Sequence, residues 1–330
     1  EYCLDCHVQD HEDNYNSWQA AGHPFALMKA EDARHRAIPL PRGYTWSDIS
    51  YVVGGYDKKA LYLDSDGYFI TSAGGNPGNN QYNIETGEWS DYRAGEANVP
   101  FDCGACHTTN YSASGNQDGL TGIVGTWDSA GVECEQCHGN GPAMQVNDSA
   151  AFCGTCHTRG EDSSVIPAAD GFIKNNGQYN ELLASPHKNV DCVSCHDPHK
   201  KSEFSIKREC TACHSQDNNR IANSLATHSM ADYGIECKDC HMPYATLAAQ
   251  AENEFTGDRK THIFYIDSDP AATMFNEAGD AVALDNEGKG AVTLDYACKR
   301  CHETADINEL ARHANNFHGK DTSVSPLEYI

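Results

Sequence analysis

Positive charge is scarce in this chain. Lys and Arg number 23 against 48 Asp and Glu, which leaves a net charge of −25 with His neutral. Such a surface repels nucleic acid and anionic lipid, and neither is expected as a partner. Apolar residues are few as well: 39% counting every Cys, and about 34% once the 16 Cys are set aside. That is thin for a side-chain core in 330 residues. No run of about 18 apolar residues exists, so no transmembrane segment is expected. Neither a G-x-G-x-x-G turn nor a P-loop is present, which argues against a nicotinamide or nucleotide enzyme. An initiating Met is missing too. The chain starts at Glu1 with a motif at Cys3, as an exported chain does after signal cleavage, and the absence of Cys at position 1 argues against a lipoprotein.

Cysteine and histidine are abundant, at 16 and 17. Every Cys lies in a C-x-x-C pair, and a His follows every pair. The first four are Cys3 and Cys6 with His7, Cys103 and Cys106 with His107, Cys134 and Cys137 with His138, and Cys153 and Cys156 with His157. The other four are Cys192 and Cys195 with His196, Cys210 and Cys213 with His214, Cys237 and Cys240 with His241, and Cys298 and Cys301 with His302. C-x-x-C-H is the signature of covalent haem c attachment: two thiols take the two vinyl groups, and the His reaches the iron from one face. A zinc reading needs two such pairs to close one tetrahedron and gives no reason for a His after each. Disulfides within the pairs would close strained small rings. Eight haem c groups, each with its iron, are therefore expected, and their porphyrins supply the apolar core that the composition lacks.

Nine His remain. His11, His23, His187, His199, His228, His262, His313 and His318 are the candidates for the second axial ligand, and His35, between Arg34 and Arg36, is the candidate spare. His23 follows an apolar-flanked helix with Trp18, Ala20 and Ala21. His228 falls on a helix over 221–231, and His262 opens a strand over Ile263–Ile266. His313 and His318 lie on a final helix, Ala305 to Phe317, at an angle of about 140° that assigns them to different haems. His11 sits one turn after His7 on the same face and cannot reach the far side of that haem. The five Met show no ligand pattern. Bis-His, low-spin, low-potential haems are expected.

Spacing of the motifs gives one octahaem unit over 1–330. Within it lie an N-terminal insert with a β-hairpin (8–102), a six-haem central run (103–241), a β insert (245–297) and a last haem with its helix (298–330). Leu61-Tyr62-Leu63, a turn at Asp64-Ser65-Asp66-Gly67 and Tyr68-Phe69-Ile70 read as the hairpin, the acidic turn lacking the final Glu of an EF-hand. Ala73 to Asn80 reads as a Gly/Asn loop. Ala281–Leu284, a turn at 285–288 and Ala291–Leu294 read as a second hairpin. Asn110-Tyr-Ser and Asn147-Asp-Ser match glycosylation sequons.

Two stretches are more particular. One runs from Trp46-Ser-Asp-Ile-Ser-Tyr-Val-Val-Gly-Gly-Tyr56 through Asp66-Gly-Tyr-Phe-Ile-Thr71. The other runs from Cys103-Gly-Ala-Cys-His107 through Gly122-Ile-Val-Gly-Thr-Trp127 to Val132-Glu-Cys-Glu-Gln-Cys-His138. With the eight motifs they resemble outer-surface multihaem cytochromes of metal-respiring bacteria and archaea, a group in which some members polymerise into extracellular filaments. The resemblance implies a multihaem cytochrome c fold: loops and short helices wrapped around a haem chain, small β-hairpin inserts and little regular secondary structure. It also implies a homopolymer in which a His of the next subunit completes a terminal haem, and His11 is the matching position. The location implied is the cell surface or outside, with the periplasm as alternative, and the partners are other redox proteins or extracellular acceptors.

The functional expectation is electron transfer along closely spaced bis-His haems, as the subunit of a nanowire filament, without a catalytic residue. The alternatives are a soluble monomeric carrier and an octahaem nitrite, hydroxylamine or tetrathionate enzyme. Such an enzyme needs one open haem, and the C-x-x-C-K motif that marks it in several of these families is absent here.

Overall fold

The structure is a computed structural model that describes residues 12–139, 145–214 and 234–318. Cys3, Cys6, His7, His11, His228 and the helix expected over 221–231 lie outside the described residues. Contacts group the chain into two compact units, Glu1–Ser149 with Cys195–Lys207, and Ala150–Ser194 with Arg208–Ile330. Motif spacing alone suggests one unit and different segment limits.

In the first unit the helix Glu12–Gln19 precedes seven short strands. They are β1 (Leu27–Lys29), β2 (Ile49–Gly54), β3 (Lys59–Asp64), β4 (Ser72–Ala73), β5 (Asn76–Pro77), β6 (Gln81–Asn83) and β7 (Glu88–Ser90). Five of them form an antiparallel sheet of order β1-β2-β3-β6-β7, and β4 and β5 form a small hairpin beside it. The sequence reading gave this region one hairpin and a loop. The difference arises because both sheet faces are buried, which blurs the period-two signal. Tyr51, Val53, Leu61 and Leu63 pack on one face against Phe69, Phe101, Ile123 and Trp127. Val52, Ala60 and Tyr62 pack on the other against Met28, Ala33 and Ile38. A β-bulge between Ile49 and Tyr51 shifts the register, so Ile49 joins the second face and Tyr51 the first. The expected turn forms: Asp64 Oδ1 accepts from the Asp66 and Tyr68 amides at 3.0 and 2.9 Å, and Gly67 takes φ +88°. The unit also holds the two-stranded pair β8 (Thr108–Thr109) and β9 (Ser129–Ala130).

In the second unit β10 (Ala168–Ala169) pairs antiparallel with β11 (Phe172–Lys174), which pairs parallel with β12 (Thr246–Leu247). β13 (Ile266–Asp267) pairs parallel with β14 (Val292–Thr293). Segment 245–297 is thus not a self-contained insert, because β12 is a sheet neighbour of β11. The strand expected over Ile263–Ile266 is reduced to its end: Phe264 takes φ +62°, which breaks the extended run. The turn at 285–288 forms, with Asp285 Oδ1 accepting from the Glu287 and Lys289 amides at 2.8 and 2.9 Å. The two arms do not form a hairpin ladder: Ala281 and Val282 bridge Pro167 and Phe275, Leu284 bridges Gly290, Val292–Thr293 pairs with β13, and Leu294 starts a helix, Leu294–Cys298, instead of ending a strand. The last helix is Ile307–Asn316, capped by Asp306, and His318 falls beyond its end. Ile166, Phe172, Ile173, Ile263, Val292 and Tyr296 lead the core of this unit. Among the described residues no helix is long and apolar enough to cross a membrane.

Candidate haem ligand sites

The described C-x-x-C-H motifs fold as single helical turns. Gly104–His107, Cys134–His138 and Cys237–His241 are short α-helices, and Cys192–Ser194 and Cys210–Ala212 are 3₁₀ turns. The amide of the second Cys donates to the carbonyl of the first in four motifs. Cys106 reaches Cys103 O, Cys156 reaches Cys153 O and Cys213 reaches Cys210 O, each at 3.2 Å, and Cys301 reaches Cys298 O at 3.1 Å. The same carbonyls accept from the amides of His107 at 3.2 Å, His157 at 2.9 Å, and His214 and His302 at 3.0 Å. Cys137 lies within the helix Cys134–His138, and its carbonyl accepts from the Asn147 amide at 3.2 Å. At about 100° per residue, positions i, i+3 and i+4 share one face. The two thiols and the imidazole therefore leave the backbone on the same side, as haem c attachment requires.

Iron takes a neutral imidazole through one nitrogen, and the other nitrogen needs a partner that fixes the tautomer. His107 Nδ1 donates to Ala26 O at 2.8 Å, and His241 Nδ1 to Phe264 O at 2.9 Å. His157 Nδ1 donates to Gln178 Oε1 at 3.3 Å. His196 Nδ1 lies 3.0 Å from Ser205 Oγ, whose own proton goes to Ser202 O, so the ring nitrogen is the donor there too. Two candidates for the far side follow the same rule. His23 Nδ1 donates to Pro198 O at 3.3 Å, and His199 Nδ1 to Asp197 Oδ1 at 3.1 Å. In all six the proton sits on Nδ1, which makes Nε2 the unprotonated nitrogen, the one suited to ligate a metal. Burial lowers the pKa of His107, His157 and His187, which favours the neutral form.

Among the described residues, three motif His stand opposite a second His. Ring centres are 6.0 Å apart for His138 and His199, for His187 and His214, and for His241 and His318. Two imidazoles bound through Nε2 at about 2.0 Å on opposite sides of one metal place their ring centres about 6 Å apart. The spacing leaves room for an ion between the rings, and for the pair inclined at 83° it is also an ordinary edge-to-face distance. The rings are inclined at 30°, 83° and 18° in these pairs. His187, His199 and His318 are thus brought to the motifs ending in His214, His138 and His241. His302 belongs to none of these three pairs and is exposed, its carbonyl accepting from the Ala305 amide at 3.1 Å. His262 lies beside Phe264, and His313 sits on the helix Ile307–Asn316. His35 is exposed, with its Nε2 3.4 Å from Arg34 Nε.

Attachment points also cluster. Cys153 and Cys192 are neighbours, and so are Cys240, Cys298 and Cys301; burial pushes the Cys240 and Cys298 thiols up to about 11 and about 12. Cys156 Sγ lies 3.8 Å from Thr155 Oγ1. Cys106, Cys137 and Cys156 are half-buried, whereas Cys195, Cys213 and Cys301 are exposed. Among the described residues no disulfide forms and no three His, Cys, Asp or Glu converge as a metal cluster. The donor set fits haem c.

Known families agree. The Cytochrome c554 and c-prime family matches residues 80–139, the Cytochrome c3 family 126–215, and the NapC/NirT cytochrome c family, N-terminal region, 201–324. Together they run unbroken from 80 to 324. This chain is a multihaem c-type cytochrome. The cytochrome is 25% identical to the dissimilatory sulfite reductase MccA of Wolinella succinogenes, over 52% of this chain and 33% of that protein. The octaheme MccA structure overlays with a TM-score of 0.63 at 18% identity, covering 90% of this cytochrome and 64% of that chain. The outer cell wall cytochrome OcwA overlays at 0.56 with 16% identity, covering 95% and 85%. The undecaheme cytochrome from the S-layer of Carboxydothermus ferrireducens gives 0.52 with 16% identity, covering 95% and 59%. The chain thus spans a third of the length of the curated relative it matches.

Sequence reasoning missed the groups that hold the imidazoles. Ala26 O and Phe264 O are backbone carbonyls far along the chain from the His they bind, and carry no side-chain signal. Asp197, two residues before His199, is the one such partner that a local Asp-Pro-His reading could have found.

Proposed function

We propose that this cytochrome transfers electrons through eight haem c groups held between pairs of His, and that it performs no chemistry of its own on a substrate. The observation that carries the reading is the set of three His pairs at 6.0 Å, each joining a C-x-x-C-H motif to a remote His. Haem c supplies a one-electron Fe(III)/Fe(II) couple. The chain's own part is to hold both imidazoles of a pair in place, with the Nδ1 of His23, His107, His157, His196, His199 and His241 tied to an acceptor, and so keep a substrate off the metal. The proposed attachment thiols are the two Cys of each motif, Cys106, Cys137, Cys156 and Cys213 among them. The proposed ligand set is the eight motif His, His302 included, with His11, His23, His187, His199, His228, His262, His313 and His318. A pyridine haemochrome assay tests the number and should return eight haems per chain. Electron paramagnetic resonance of the oxidised protein tests the ligation and should show low-spin ferric haem alone.

The proposed setting is the cell surface or beyond, in a homopolymer where His11 of one copy completes a haem of the next. The net charge of −25 suits exposure to water, and the likeness to cytochromes described as outer cell wall and S-layer proteins supports a surface role. Electron microscopy of the native extracellular fraction should reveal filaments containing this chain. Compact particles alone would favour a monomeric carrier. A second reading rests on the match to MccA, named a sulfite reductase. It requires one haem with a single protein ligand. A high-spin ferric signal in the untreated protein, with sulfite-dependent oxidation of a reduced dye, would favour it.

A further inference from the structure

The second unit buries a carboxyl that neither attachment nor pairing uses. Glu181 lies on the helix Gln178–Leu183 and is fully enclosed. Its Oε2 accepts from Thr261 Oγ1 and from the His262 amide, both at 2.6 Å, while Oε1 is buried with no hydrogen-bond partner. Burial pushes the carboxyl up to about 7 against those two bonds. Enclosing such a group is unfavourable unless it is compensated, so its place calls for a reason.

The segment it grips is busy. Thr261 is itself fully buried, and its amide donates to Pro243 O at 3.0 Å. Next comes His262, then Phe264 with its left-handed backbone. The Phe264 carbonyl accepts from His241 Nδ1, and its ring meets His187 edge-on at 4.5 Å between centres. One short stretch therefore carries one candidate ligand and orients or touches two more. The helix that grips it also presents Gln178 Oε1 to His157 Nδ1. We infer that Glu181 is a positioning residue: by clamping the Thr261–His262 turn it sets how His262 is presented to iron. The inference deepens the bis-His reading and rests on His262 being an axial ligand. Two hydrogen bonds to a fully enclosed acceptor hold backbone more rigidly than an exposed contact would.

The test uses the full-length holoprotein, with electron paramagnetic resonance and visible spectra of the oxidised state. His262→Ala checks the underlying reading and should add a high-spin signal equivalent to one haem. Glu181→Leu removes the clamp and should give the same signal at a fraction of that intensity. Glu181→Gln keeps an oxygen that accepts from both donors and should match wild type. If Glu181→Leu does not accumulate as holoprotein, Thr261→Val, which removes one of the two bonds, should show a smaller high-spin fraction. A wild-type spectrum in Glu181→Leu, or in Thr261→Val where that variant stands in, overturns the inference while the His262→Ala signal keeps the ligand reading intact. A Gln variant as damaged as the Leu variant overturns it too, since charge rather than hydrogen bonding would then be the cause. A wild-type spectrum in His262→Ala removes His262 from the ligand set and the inference with it.

Discussion

At the scale of single residues, the design lies in which nitrogen of each His is occupied. His199 gives its Nδ1 proton to Asp197 and faces His138 across 6.0 Å. His199→Ala leaves the motif Cys134–His138 intact and removes the opposite ring. One haem should become high-spin, visible by electron paramagnetic resonance, with the others unchanged; an unaltered spectrum would take His199 out of the ligand set. Glu133 offers a different test. It precedes the turn Cys134–His138 and is half-buried. Burial first, then the nearby Glu135, push its carboxyl from 4.5 up to about 7. A carboxyl whose folded pKa is raised binds its proton more tightly in the native state. Its ionisation therefore costs the folded state nothing below pH 4.5, costs more as pH rises towards 7, and is constant above that. Glu133→Gln should raise Tm at about pH 8 and leave it unchanged at about pH 4. Equal shifts at both pH values would mean that the amide altered packing and not charge.

At the scale of elements, the motif turns at Gly104 and Gly154 are backed by aromatic rings. A Cβ at Gly104 would lie 2.5 Å from Tyr111 Cε2, and one at Gly154 would lie 2.5 Å from Tyr179 Cδ1. Tyr111 has little room to retreat, because a Cβ at Gly125 on its other flank would already lie 2.4 Å from the same Cε2. Gly104→Ala should therefore destabilise the folded protein by about 1–3 kcal/mol, read as a lower Tm in thermal melts. A melt matching wild type would show that the ring yields freely. Such turns were legible in the sequence because their chemistry is local: C-x-x-C-H fits one helical turn and nothing else. The acidic turn at Asp64 to Gly67 and the last helix with its Asp306 cap were legible for the same reason. The five-stranded sheet was not. Its β2 and β3 are buried on both faces and read as apolar runs, and the bulge after Ile49 disrupts what alternation remains. The strand expected after His262 failed on one residue, Phe264, whose left-handed backbone carries the carbonyl that accepts from His241 Nδ1, a partner that no local pattern reveals.

At the scale of the whole molecule, the sequence states how many imidazoles there are but not which of them meet. His138 and His199, or His241 and His318, are joined by chain folding over dozens of residues, and no periodicity encodes such a pairing. Charge, by contrast, is a whole-chain property that composition does report. Each electron taken up adds a negative charge to a chain already at −25. The field of those carboxylates opposes reduction, and mobile cations weaken it over the Debye length, about 30 Å at 0.01 M and about 3 Å at 1 M ionic strength. Raising the salt across that range should therefore shift the midpoint potentials upward, most for sites near the surface and least for those within the units. Spectroscopic redox titrations at the two ionic strengths measure this directly. The sign follows from the charge alone, so a downward shift would mean that the local surroundings of the sites are positive in spite of the total. No shift would mean that the charges that govern the potentials, haem propionates included, are paired or buried where salt does not reach.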